Sequence, residues 1–260
     1  DSTASRWGFA VLAHLLLVAR AAGVGATGCA LAALLGERDL LRGRPGPGER
    51  DSDLRTRLEI LASNPEGAGR SDVDRAALRQ VHRSAGAHAR QLGLGDLTPA
   101  IDPGEAGWLL AVAWPDRIAR RRDTGSGRYL LGTGRGAFFA EPEALARSEY
   151  LVIPELDGNE KEARIHLAAP LTVAELEEHL ATAIITSAEI RWDSRERAVV
   201  ARRQRRLGAV LLADEALPDA DPERVMAAML VGLRELGLVA LPWTTELRQW
   251  QARVALCGRV

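Results

Sequence analysis

The groups in this chain best equipped for chemistry are guanidiniums. Arg117, Arg120, Arg121, Arg122, Arg128 and Arg135 crowd into one stretch, opposed only by Asp116 and Asp123. Planar guanidinium groups bind phosphate oxygens bidentately and release counterions as they do so. The same residues would also serve as a solvated sheet face in an arginine-biased chain, and charge alone leaves both readings open. If the stretch is a strand, Arg120 and Arg122 share one face and Arg121 takes the other. Tyr129, Phe138 and Phe139 lie close by and could stack on bases. In a chain with only 4% aromatic residues they read first as core. A second cluster is Arg191, Arg195, Arg197, Arg202, Arg203, Arg205 and Arg206, partly offset by Asp193 and Glu196. It could make the same phosphate contacts, but it reads first as an edge strand kept from aggregating by charge.

Other chemistries find no residues here. A phosphate-binding P-loop needs Gly-Lys-Ser/Thr, because the lysine must reach the β- and γ-phosphates. The single lysine, Lys161, sits between Glu160 and Glu162. Gly132-Thr133-Gly134-Arg135-Gly136 imitates a dinucleotide loop, but its spacing is wrong and a strand pattern, Ala137-Phe138-Phe139, follows it. It reads as a glycine-rich bend where strands approach closely. His14, His82, His88, His166 and His179 lack partners at metal-ligand spacing. His14 is expected at the edge of a core. No Gly-x-Ser-x-Gly elbow occurs. No catalytic residue, metal or cofactor is therefore expected in this chain.

Composition narrows the partners. Among 34 basic residues all but Lys161 are arginines, which a GC-rich genome explains without any function. The net charge is −1, so any nucleic-acid contact must come from local patches on a neutral body. Cys29 and Cys257 make neither a zinc spacing nor a disulfide framework, which suits a reducing, cytoplasmic compartment. The longest apolar run, residues 9–19, is interrupted by His14 and is too short to span a membrane. The chain starts at Asp1 without a basic leader and reads as a piece of something longer.

The elements that would hold these groups fall into three stretches, giving an α+β chain. Residues 1–104 read as a helical bundle. Phe9, Leu12, Leu16 and Ala19 share a helix face, and Val24 to Leu35 forms a second helix. After a loop at Arg44-Pro45-Gly46-Pro47-Gly48, Asp51-Ser52-Asp53 caps a third helix with Leu54, Leu58 and Leu61 inward. Asn64-Pro65-Glu66-Gly67 ends it. A fourth carries Leu78, Val81, Ala85 and Leu92 and stops at Gly93. Residues 105–215 read as a short helix followed by strands at 117–122, 128–131, 136–140, 150–156, 163–169, 189–192 and 198–206. Asp157-Gly158-Asn159 is a turn, and Thr172 caps an inserted helix with Leu176 and Leu180 buried. Leu207–Leu212 extends the last strand or forms another. Short strands with one helix suit a rolled sheet or an OB-like barrel. Residues 216–260 read as a short helical C-terminal segment. Asp221-Pro222 opens one helix with Val225, Met229, Leu233 and Leu236 inward, and Thr244 caps the last.

Three blocks carry a resemblance. Trp114-Pro115-Asp116-Arg117-Ile118-Ala119, then Gly127-Arg128-Tyr129-Leu130-Leu131, then Gly134-Arg135-Gly136-Ala137 resemble the OB-fold of bacterial DEAH-type ATP-dependent RNA helicases of the HrpB group. Val199-Val200-Ala201-Arg202-Arg203, Arg206-Leu207-Gly208-Ala209 and Leu241-Pro242-Trp243-Thr244 agree with it. Residues 29–39 and Asp51-Ser52-Asp53-Leu54-Arg55 are similar to the helicase-associated helical (ratchet) domain. The two RecA-like motor domains of that family are absent, and so is the His-Pro-Arg that precedes Leu12-Ala13-His14 in it. The resemblance implies a parent enzyme that binds ATP and Mg and moves 3′→5′ along RNA. This chain would be its accessory C-terminal region, contacting single-stranded RNA and packing against the RecA-like motor. The alternative is a non-catalytic interaction module, or a standalone OB module, without RNA binding. By the resemblance, Arg117, Arg120, Arg122, Arg128 and Arg135 are the expected RNA-facing or domain-docking residues.

Overall fold

The computed structural model describes residues 2–41, 51–63, 71–95, 100–157, 162–237 and 240–257. The expected loop at 44–48, the helix stop at 64–67, Gly158-Asn159, Lys161 and the Phe9 side chain lie outside the described residues. What is described falls into two compact units. One runs to Ile185 and includes Arg206–Leu212; the other is Thr186–Arg205 with the residues from Ala213 onward.

The first unit begins with helices α1 (Ser2–Ala21), α2 (Gly25–Gly36), α3 (Leu54–Ser63), α4 (Arg75–Leu92) and α5 (Ala106–Ala113). Helix α2 is buried along its length from Gly25 to Leu34. A helix apolar all round belongs at the centre of a layer, and α2 occupies that position. Around it, Leu15 and Ala19 of α1, Leu54, Leu58 and Leu61 of α3, and Leu78, Val81 and Ala85 of α4 are buried. His14, expected at a core edge, is exposed, because Leu15 takes the inward position on α1. Asp74 starts α4 by accepting from the amides of Ala76 and Ala77, and Gly93 ends it at φ 69°.

Five strands then close a barrel: β1 (Ile118–Arg121), β2 (Arg128–Leu131), β3 (Gly136–Phe138), β4 (Tyr150–Leu156) and β5 (Glu162–Leu171). Their order is β1-β2-β3-β5-β4, with β1 and β4 closing the ring through Ile118↔Val152 and with β3–β5 parallel. The rolled sheet that the strand pattern suggests is thus a closed five-stranded barrel. Tyr129, Leu131, Ala137, Phe139, Leu151 and Ile153 fill it, with the Tyr129 and Phe139 rings edge to face at 5.9 Å. Helix α6 (Val173–His179) follows, with Thr172 and Glu175 making a reciprocal capping box. Leu176 and Leu180 are buried as expected.

Helices and barrel lock together around Ser52, and α5 locks onto α6. The Ser52 amide and hydroxyl both donate to Glu143, at 3.0 and 2.8 Å. The Ala168 amide of β5 donates to the Ser52 carbonyl at 2.9 Å. Trp108 of α5 stacks on His179 of α6 at 4.0 Å.

The remaining strands do not continue the roll. β6 (Ile185–Asp193), β7 (Ala198–Leu207) and β8 (Val210–Ala216) form a separate three-stranded sheet. Leu207–Leu212 is therefore not one strand, since Gly208 at φ 57° turns the chain from β7 into β8. In the second unit, α7 (Pro222–Leu236) and α8 (Thr245–Cys257) follow the sheet. Asp221 caps α7 and Thr244 accepts from the Leu247 amide at the start of α8. The inward face of α7 differs from expectation: Ala228 and Gly232 are buried while Met229 is 50% exposed. A Cβ on Gly232 would overlap the Trp192 ring, so only a glycine permits this approach. No helix among the described residues is long and apolar enough to cross a membrane.

Candidate nucleic-acid interface

The barrel register decides where each arginine points. In antiparallel and parallel pairs alike, residues directly opposite share a face. Tyr129, Ala137 and Ala163 are cross-strand partners on β2, β3 and β5, and all three are buried inside the barrel. The neighbouring row, Arg128, Phe138 and Arg164, therefore faces outward. Arg128 is 50% exposed, and Phe138 and Arg164 are half-buried. Arg122 joins this row just beyond β1, its amide donating to the Arg128 carbonyl at 2.9 Å.

The five expected residues do not form one line. Arg122 and Arg128 lie together at the β1–β2 tip. Arg117, in a short 3₁₀ turn before β1, and Arg135, after the β2–β3 turn, lie at the opposite end of the hairpin. Arg120 takes the outer wall between them. Its guanidinium donates to the Leu211 carbonyl at 2.5 Å and to Glu149 at 3.1 Å, with Tyr150 beneath it at 5.8 Å. It thereby holds the β7–β8 hairpin tip, where the Ala209 amide also donates to the Gly132 carbonyl at 2.8 Å. Arg135 donates to the Asp157 carbonyl at 3.1 Å. Arg117 sits 3.6 Å from Asp116. Arg128 pairs with Glu162 across the surface. Among the described residues the Arg122 and Arg164 side chains make no bond.

The bend read from Gly132-Thr133-Gly134 has a specific use. Gly208 meets Gly132 so closely that a Cβ at Gly208 would overlap the Gly132 carbonyl. The aromatics divide as well. Tyr129 and Phe139 are core; Phe138 is on the outer wall. The Tyr129 hydroxyl donates to the carbonyls of Leu145 and Ser148, at 3.1 and 2.9 Å. Burial pushes its pKa up to about 12, so it remains a donor at any physiological pH. Arg121 donates to the Arg147 and Ala146 carbonyls, at 2.7 and 3.3 Å. Together these bonds fix the short 3₁₀ turn at Ala144–Arg147 beside the β1–β2 tip.

Sequence reasoning passed over several residues. Arg164 could have been found from strand parity, since it alternates with the apolar Ala163 and Ile165. Arg57 of α3 is only 3% exposed and forks onto Asp39, at 3.1 and 2.8 Å, with the Asp53 carbonyl at 3.0 Å. The second arginine cluster is partly neutralised: Arg191 lies between Glu189 and Asp193, and Arg202 binds Asp214 at 3.0 Å. Burial pushes the Cys29 thiol up to about 11, which makes it a poor nucleophile. Among the described residues no group of three or more His, Cys, Asp or Glu could hold a metal ion.

Residues 183–217 match the family model described as "ATP-dependent RNA helicase HrpB, connector region". The match coincides with the β6–β8 sheet. The ATP-dependent RNA helicase HrpB of Escherichia coli strain K12 is 36% identical over 152 residues, which are 58% of this chain and 18% of that protein. Two solved structures, of the E. coli DExH-box NTPase HrpB and the E. coli DEAH/RHA helicase HrpB, each match 90% of this chain with a TM-score of 0.56, at 28% and 25% identity. Over most of its length the chain is similar to part of the HrpB helicases. It spans about a quarter of the solved HrpB chains, 26% in each case. The similarity has two parts: the connector match takes in residues 183–217, and the structural matches extend over 90% of the chain.

Proposed function

We propose that this chain is the accessory C-terminal region of an ATP-dependent RNA helicase, that its barrel wall contacts single-stranded RNA, and that it packs against RecA-like motor domains of the same cytoplasmic protein. The likeness to HrpB over 90% of the chain carries the reading. ATP and Mg would bind the motor, because this chain has no Gly-Lys-Ser/Thr loop for a triphosphate. The chain itself would supply guanidinium groups for phosphates. Arg122 is unpaired among the described residues, and Arg128 holds only a surface carboxylate, a bond of little net strength that a phosphate can replace. Arg120 and Arg135 instead serve docking within the chain.

The use of Arg120 to clamp a hairpin also favours a second reading, in which the arginines dock protein alone. Titration of a fluorescein-labelled oligouridylate with the 260-residue chain at several salt concentrations separates the two. The RNA reading expects the logarithm of the binding constant to fall with log salt, by about 0.7 per phosphate contact. No binding at low salt would remove the RNA reading and leave the docking one.

A further inference from the structure

We propose that the outward row Arg122–Arg128–Phe138–Arg164 is a stacking platform for one base of single-stranded RNA, with guanidinium groups on both sides of the ring for the flanking phosphates. This platform rests on the RNA reading above and gives it a site. Its first support is the register. Phe138 is paired with Arg128 on one side and Arg164 on the other. Adjacent strands lie about 4.8 Å apart, so the two arginines stand roughly 10 Å from each other with the ring between them. A base on the ring therefore has a cation on each side of it.

The second support is the placement of the phenyl group. The chain has three phenylalanines and two tyrosines. Tyr129, Tyr150 and Phe139 are buried. Phe138 alone among the barrel aromatics stands on the outer wall, where it is half-buried and not enclosed. Base–aromatic stacking tolerates any base, because every base has a π-face. The third support is the free valence of the cations. Arg122 and Arg164 have no side-chain bond among the described residues, and Arg128 is held only by the surface carboxylate of Glu162.

The row is also prepared in advance. A closed barrel fixes the strands, and Arg121 and Tyr129 hold the neighbouring turn through four carbonyl contacts. Little ordering remains to be done when RNA arrives. Glu162 then acts as a resident competitor for Arg128. Its removal should tighten RNA binding, which a merely structural pair would not do.

The test uses the 260-residue chain and the same fluorescein-labelled oligouridylate. Phe138→Leu keeps an apolar group on the wall and should bind about tenfold more weakly with the salt slope unchanged. Arg164→Gln and Arg122→Gln should each lower the slope by about 0.7. Glu162→Gln should bind a few-fold, roughly threefold, more tightly. RNA carrying 5-iodouridine should photocrosslink to the peptide that contains Phe138. This readout uses the unaltered protein and stands even if Phe138→Leu folds poorly. If the unaltered chain binds RNA but Phe138→Leu and Arg164→Gln bind as tightly, the platform is wrong and the RNA reading survives. A crosslink confined to other peptides also overturns the platform and leaves the RNA reading standing. If the unaltered chain binds no RNA at low salt, both readings fall together.

Discussion

Arg57 in the helical layer and Arg164 on the barrel wall carry the same group to opposite ends. Arg57 is enclosed, forked onto Asp39 and tied to the Asp53 carbonyl, with Asp51 at 3.4 Å. Arg164 sits on an outward strand position with no bond to its guanidinium among the described residues. An enclosed cation cannot lose its acid without being left as an uncompensated buried charge. A cation on the outer wall with no bond to give up can take a partner at little cost. Bonds made within the fold, then, separate arginines that hold it from arginines available to a ligand. Local density does not, since the dense Arg117–Arg135 stretch contains both kinds.

The largest effect should come from removing the enclosed group. Arg57→Ala is expected to cost about 2.5 kcal/mol, because it removes a side chain only 3% exposed and leaves the Asp53 carbonyl without its donor, while the exposed Asp39 can turn to water. Arg164→Ala should stay within about 0.5 kcal/mol. Urea unfolding of the two variants measures this directly, and equal losses would break the comparison.

Next comes the hairpin tip that Arg120 clamps. Gly208→Val forces a β-branched residue to φ 57° against the Gly132 carbonyl, and about 2 kcal/mol is expected to be lost. Arg120→Gln should cost about 1 kcal/mol, since the Leu211 carbonyl loses its donor. These two losses would move Arg120 to the side of Arg57, despite its place in the dense stretch. A cost for Arg120→Gln no larger than that for Arg164→Ala would return it to the wall.

Features legible in the sequence follow from local pattern. Period-two alternation in Glu162–Leu171 and around Tyr129 gives the inner and outer rows, and glycines at Gly132 and Gly134 announce the bend. Features that escape it are decided at a distance. The acids of Arg57 come from Asp39 and Asp51, outside its own helix, and no spacing rule joins them. On α7 the large residues Val225, Met229, Leu233 and Leu236 have the spacing of a buried face. The real contact is made by Ala228 and Gly232, because Trp192 needs room that only small residues leave. Closure of the barrel after five strands depends on Ile118 meeting Val152, a pairing no local run of sequence shows. The three strands from Ile185 onward consequently read as more of the same roll.

Glu143 extends the comparison to an acid and should give the smallest effect. It accepts from both the amide and the hydroxyl of Ser52, at the join of helices and barrel. Burial raises its pKa above the ordinary 4.5, and the two Ser52 bonds pull it back only in part. The folded chain therefore holds this proton more tightly than the unfolded chain does. Stability from that difference is complete below the unfolded value and is lost as pH rises through the raised one. Glu143→Gln cannot titrate and lacks this contribution. Urea midpoints collected from pH 4 upward should favour the unaltered chain over Glu143→Gln most strongly at the acid end, and the advantage should shrink as pH rises. An advantage that grows with pH would mean that the Ser52 bonds outweigh burial. Glu143 would then be a charge the fold welcomes, as Asp39 is for Arg57, rather than one it merely tolerates.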